Sequence, residues 1–142
     1  MATLSDVVSA AATALHVQRT RIEVSVSNMA NAESTRGPDG QPYRRRDVVL
    51  ASVPQNSFDA ALNKATPIGV QVADVVEDRS PFQRRYDPSH PDADAEGFVA
   101  MPNVDVPAEM VDMMSASRAY QANLTAIGIV NDLMRKALDL GK

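Results

Sequence analysis

The sequence predicts a mainly α protein, with long N- and C-terminal helices packed as a coiled-coil-like pair and a small irregular β-containing insertion between them. Three observations predict it. All nine prolines fall between Pro38 and Pro107, and proline is disfavoured inside helices because it removes a hydrogen bond and clashes with the preceding turn. Both proline-poor ends carry apolar residues at heptad spacing, whereas β-rich runs are confined to the middle. The expected division is therefore a discontinuous helical domain, residues 1–35 and 105–142, around an outer loop and β insertion, residues 36–104.

The first helix is expected over residues 4–31, about 42 Å long at 1.5 Å per residue. Val8, Leu15, Ile22 and Met29 recur every seven residues, with Leu4, Ala11, Gln18 and Ser25 at the alternate positions. Four heptads of 3–4 spacing define a coiled-coil seam. Only Asp6, Arg19, Arg21 and Glu23 are charged in the first 31 residues. A helix with one buried stripe normally carries charge around the rest of its circumference. Here those faces hold Ala10, Ala12, Thr13, Ser27, Asn28 and Ala30 instead. Such a helix either meets several neighbours or belongs to an ordinary hairpin with a low-charge surface.

In the middle, Asp47–Val53, Ile68–Val76 and Phe98–Met101 read as short strands separated by Pro and Gly. Residues 55–66 are expected to hold a short helical turn or to be mobile. The last helix is expected over residues 107–140, about 51 Å long. Asp105 and Pro107 suit its start and Gly141 its stop. One seam series is Met110, Ser117, Leu124, Asn131 and Leu138, and the other is Met113, Tyr120, Ile127 and Met134.

Composition excludes several classes. The chain of 142 residues has 18 acidic and 14 basic side chains, a net charge of −4, whereas dedicated nucleic-acid binders usually carry a basic surplus. Residues 1–31 and 106–142 each sum to zero, so the whole deficit sits between them. No uncharged apolar run is long enough to span a membrane as a helix. The absence of Cys removes disulfides, thiolate metal sites and Cys nucleophiles. Met1–Thr20 lacks a basic n-region and carries Asp6, unlike a cleaved secretory signal.

Candidate chemistry is thin. Asp92, Asp94, Glu96 and Gly97 imitate the start of a calcium loop, but the twelfth position, where a bidentate Glu belongs, is Asn103. A solvated acidic turn is the better reading. A hydrolase built on His90, Asp92 and Asp94 lacks a partnered nucleophile. Tyr43-Arg44-Arg45-Arg46, echoed by Arg84-Arg85-Tyr86, could hold a phosphate or carboxylate polymer. Ion pairs and cation–π contacts within or between subunits account for it better. No catalytic, cofactor-binding or metal-ligating residue is assigned, and no cofactor is expected.

Several runs are similar to those of a known family. Asn28-Met29-Ala30-Asn31-Ala32-Glu33-Ser34-Thr35 resembles the signature shared by flagellar rod, hook and related axial proteins. Gly40-Gln41-Pro42-Tyr43-Arg44-Arg45, Glu77-Asp78-Arg79-Ser80-Pro81-Phe82, Tyr86-Asp87-Pro88-Ser89-His90-Pro91 and Gly97-Phe98-Val99-Ala100-Met101-Pro102-Asn103-Val104 extend the match. So does Glu109–Asn123. Over nearly its whole length the chain resembles the flagellar basal-body rod proteins.

The resemblance implies a structural subunit of the proximal rod, without catalysis, in the periplasmic part of the basal body. Its partners would be copies of itself and other rod proteins, and it would be exported through the flagellar type III apparatus without signal cleavage. No nucleic acid and no stable membrane insertion are expected. The terminal helices would line the axial channel, with the middle facing outward. The expected assembly contacts are Leu15, Ile22, Asn28, Met29, Asn31, Tyr43, Arg44, Met113, Tyr120, Leu124, Ile127 and Met134, with Asn28 and Asn31 capping or bridging at the helix exit. The heptads alone would also suit a soluble two-helix adaptor for a non-flagellar partner.

Overall fold

In a computed structural model of the chain, residues 4–54 and 67–140 are described; the expectation for residues 55–66 lies outside them. Two long helices enclose four strands in sequence: α1 (Leu4–Ala30), β1 (Arg46–Pro54), β2 (Pro67–Glu77), β3 (Gln83–Tyr86), β4 (Phe98–Met101) and α2 (Val106–Leu140). The expected class, two long helices around a small β insertion, is the observed one.

Each element has a local cause. Helix α1 runs free of Gly and Pro and ends where Asn31 turns its side chain back, Nδ2 donating to the Ser27 carbonyl at 2.8 Å. A helix leaves its last carbonyls unpaired, and an asparagine just past the end supplies a donor. Helix α2 opens with the Glu109 N–H donating to the Asp105 carbonyl at 3.0 Å. Pro107 sits in that first turn, where an N–H has no intrahelical acceptor to lose.

Strands β1 and β2 form one two-stranded sheet, β3 and β4 a second. Just beyond the first, the Asp78 N–H donates to the Arg45 carbonyl at 2.8 Å, placing the start of β1 beside the end of β2. In the second, antiparallel sheet, Gln83 faces Met101 and Tyr86 faces Phe98. All four β3 residues are exposed. Strand β3 was not legible in the sequence, because Gln-Arg-Arg-Tyr shows no alternation and few apolar groups. Its partner β4 alternates as a half-buried strand should, with Val99 and Met101 inward and Ala100 outward.

The described chain forms two compact units. One comprises residues 4–20, 49–54, 67–74 and 115–140, with Ala11, Val17, Ala116 and Val130 buried. In it Thr13 Oγ1 accepts the Val70 N–H at 3.3 Å and donates to the Ala10 carbonyl at 2.8 Å. Gly69 permits this approach, since a Cβ there would lie 3.0 Å from Thr13 Oγ1. The other unit comprises residues 21–48 and 75–114, with Val99, Met101, Pro102 and Val104 buried alongside Ser25, Asn28 and Glu109. Burying a Val such as Val99 contributes about 1.5–3 kcal/mol.

The heptads divide by face. Leu15, Ile22, Met29, Met113, Tyr120, Ile127 and Met134 are half-buried. Met110, Leu124 and Leu138 are exposed, at 49, 47 and 73%. The residues of α2 that the chain covers most fully are Glu109, Ala116 and Val130, one position before that exposed series. Half-buried Asn123 continues their seven-residue spacing. Hydropathy passes over this stripe because it holds a small, an amide and a charged side chain among few large apolar ones.

Candidate functional site

The second unit is organised around two buried polar side chains, Asn28 near the end of α1 and Glu109 in the first turn of α2, respectively 0 and 1% exposed. Uncompensated, each would be strongly destabilising. Neither is uncompensated. The Asn28 amide donates through Nδ2 to the Arg46 carbonyl at 2.8 Å and to Glu109 Oε2 at 3.0 Å. Its Oδ1 accepts the Arg46 N–H and the Tyr43 hydroxyl, both at 3.0 Å. An amide has two donors and two acceptor lone pairs, so all four are used, and that pattern fixes which way the amide faces.

Glu109 joins this amide to a cation. Arg45 Nε donates to Glu109 Oε1 at 2.6 Å. Burial alone would push the Arg45 guanidinium down, but the hydrogen bond and charge of Glu109, with Asp47 and Asp78, outweigh it and raise its pKa. Arg45 therefore stays charged. Its backbone N–H donates to Asn103 Oδ1 at 2.9 Å. The Asn103 amide in turn donates to the Asp78 carbonyl at 3.1 Å and to Ser80 Oγ at 2.8 Å. Among the described residues no buried side-chain nitrogen or oxygen lacks a partner.

The result is a clasp. Asn28 acts on Arg46 as a neighbouring strand would, taking both its N–H and its C=O, and on α2 through Glu109. One amide thus ties the end of α1, the start of β1 and the start of α2. Around it, Ser34 Oγ donates to Asn31 Oδ1 at 3.3 Å, and the Tyr43 N–H donates to the Ser34 carbonyl at 3.1 Å. The segment that leaves α1 is held by its own side chains.

The sequence-nominated residues separate accordingly. Asn28 and Tyr43 sit in the clasp, Asn31 caps α1, and Arg44 stacks on Phe82 with Cζ 4.2 Å from the ring centroid. The seam residues lie outside it. Glu109, Arg45 and Asn103, which complete the clasp, were not nominated. The available signal was a carboxylate in a heptad series one residue before Met110, followed on the same face by Ala116.

The acidic loop is committed to other work. Asp92 accepts from Thr35 Oγ1 at 2.9 Å and pairs with Arg36 at 3.4 Å. Asp94 Oδ1 accepts the Phe98 and Glu96 N–H groups at 2.8 and 2.9 Å, and its Oδ2 takes Arg84 at 2.7 Å. The Phe98 N–H is the main cause that holds the Asp94 carboxyl below its usual range. Among the described residues no group of three His, Cys, Asp or Glu could hold a metal ion. No described helix is long and apolar enough to cross a membrane.

Comparison with known proteins supplies the family. The chain is 48% identical over 139 residues to the flagellar basal-body rod protein FlgC of Salmonella typhimurium, covering 98% of both. It is 44% identical over 141 residues to FlgC of Bacillus subtilis, covering 92 and 93%. The chain belongs to the FlgC family of flagellar basal-body rod proteins. FlgC of Borreliella burgdorferi is similar too, at 42% identity over 141 residues. Residues 95–140 match the family described as flagellar basal body rod FlgEFG protein C-terminal, a span that takes in Gly97, β4, Glu109 and all of α2. Membership makes this chain a structural subunit of the basal-body rod, and the adaptor reading finds no support.

Proposed function

We propose that the chain is a non-catalytic subunit of the proximal rod, which packs with copies of itself and with other rod proteins to transmit torque around the export channel. Residues 1–35 and 105–142 form its axial domain, with the terminal helices paired, and residues 36–104 its outer part. It reaches the periplasm through the flagellar type III apparatus without signal cleavage. The observation that carries this reading is the apolar surface of α2 that the chain leaves uncovered, with Leu124, Ile129, Leu133 and Leu138 between 47 and 73% exposed. Such residues on one long helix need a neighbour to bury them. Assembly then supplies the burial that a chain of this size and few aromatics lacks by itself.

Leu15, Ile22, Met29, Met113, Tyr120, Leu124, Ile127 and Met134 are the proposed seam contacts, while Asn28, Asn31, Tyr43 and Arg44 hold the segment between α1 and β1 in place for them. The test is Ile127→Asp in a strain lacking its own copy. Expression is expected to be unchanged, while basal bodies contain no rod and swimming in soft agar is lost. Normal swimming overturns the seam assignment.

A further inference from the structure

One buried polar group lies beside the clasp without belonging to it. Ser25, three residues before Asn28 and on the same face of α1, is 6% exposed. Hydroxyls inside helices commonly turn back to a carbonyl of the preceding turn, as those of Thr13, Thr20 and Thr125 do. Ser25 makes no such bond, nor any other among the described residues. A hydroxyl taken out of water without a partner is costly. Its oxygen is not sealed, since every sealed polar side-chain atom among the described residues is paired. It borders a crevice of about 30 Å³.

The same crevice meets the spare donors of Arg45. Nε is spent on Glu109. Nη2 stands 3.9 Å from Asp112 Oδ2 and Nη1 3.6 Å from Asp47 Oδ2, both beyond direct hydrogen-bond length. Two polar atoms about 4 Å apart are spanned by one water at about 2.8 Å from each. Arg45, Asp47 and Asp112 border the crevice together with Ser25. Its charges balance, Arg21, Arg45 and Arg46 against Asp47, Glu109 and Asp112, so it selects neither an anion nor a cation. A water needs about 10–15 Å³ and two to four polar partners. The crevice supplies both, and is far too small for an organic ligand.

We propose that this crevice binds one ordered water, which accepts from Arg45 Nη2 and the Ser25 hydroxyl and donates to Asp112 Oδ2. Ser25 lies one turn before Asn28 on α1, and Asp112 one turn after Glu109 on α2. The Asn28–Glu109 bond and the water are therefore successive rungs between the two helices, the first direct and the second water-mediated. The second rung accounts for a hydroxyl at a heptad position where an apolar side chain would otherwise serve.

The test is ¹⁷O magnetic relaxation dispersion on the purified full chain, which counts waters that stay bound for longer than the molecule takes to tumble. Ser25→Val removes the hydroxyl and puts methyl groups into the crevice. Its dispersion is expected to fall by one water relative to the wild type, with helical dichroism unchanged. Should that variant misfold, Asp112→Ala, whose side chain is half exposed, is expected to lose the same single water. Equal dispersion in the wild type and either folded variant overturns the proposal.

Discussion

Replacing Glu109 by Gln leaves shape and volume almost unchanged and alters only charge and one acceptor. In the native clasp Oε1 takes Arg45 Nε at 2.6 Å and Oε2 takes the Asn28 amide at 3.0 Å. A glutamine oxygen can keep one of these partners; its NH₂ then points a donor at the other donor. Losing a hydrogen bond to a charged group costs about 1.5–3 kcal/mol, and breaking a buried ion pair about 3–5 kcal/mol. The Arg45 side chain retains 24% exposure and can recover some hydration, which places the net loss at about 2–4 kcal/mol. For a chain of this size that lowers Tm by roughly 6–12 °C. Thermal unfolding followed by dichroism at the helical band measures it. A double-mutant cycle with Asn28→Ala should also show non-additivity of about 1 kcal/mol or more, because the two residues share a bond. A Tm change within about 2 °C, or strict additivity, would refute the clasp as a stabilising element.

Gly97 adopts φ +82°, and a Cβ there would lie 3.0 Å from Tyr86 Cε2 and 3.2 Å from Pro88 Cβ. Gly97→Ala should therefore destabilise by about 1–3 kcal/mol, from the left-handed backbone and the contacts together, read as a lower urea midpoint. The carboxyls of Asp78, Asp87 and Asp94 are held below their usual range, chiefly by the Ser80 N–H, the Ser89 hydroxyl and the Phe98 N–H respectively. A depressed folded-state pKa stabilises above the unfolded value, near 4, and the gain disappears as pH falls through the folded one. Amide protection at Ser80 and Phe98, taken as exchange relative to the intrinsic rate at each pH, should fall below about pH 4 and stay constant from there to neutrality; onset near pH 6 would contradict the assignment.

How far the sequence could be read follows from what kind of signal each feature leaves. Proline placement and heptads locate α1 and α2 to within one residue at their described ends, because a missing N–H and a 3.6-residue period act locally. β4 is found for the same reason: Val99 and Met101 alternate with Ala100. β3 escapes, since its place comes from pairing with β4 rather than from its own residues. The clasp is half legible. Asn28 and Tyr43 belong to recognisable runs, but the need for Glu109 and Asn103 emerges only when chain segments far apart in sequence meet. Which stripe of α2 faces inward was also hidden: Ala116 and Glu109 are covered, while Met110 and Leu124 are not. Hydropathy ranks them the other way, because the larger apolar side chains sit on the face that the chain leaves exposed.

The central claim is that this exposed surface is buried in the assembled rod. The chain has no cysteine, so Leu124→Cys introduces a single thiol at a position 47% exposed in the free chain. Maleimide labelling of that variant should be rapid in the purified monomer and nearly abolished in isolated basal bodies from swimming cells. Equal labelling in both states would contradict the account.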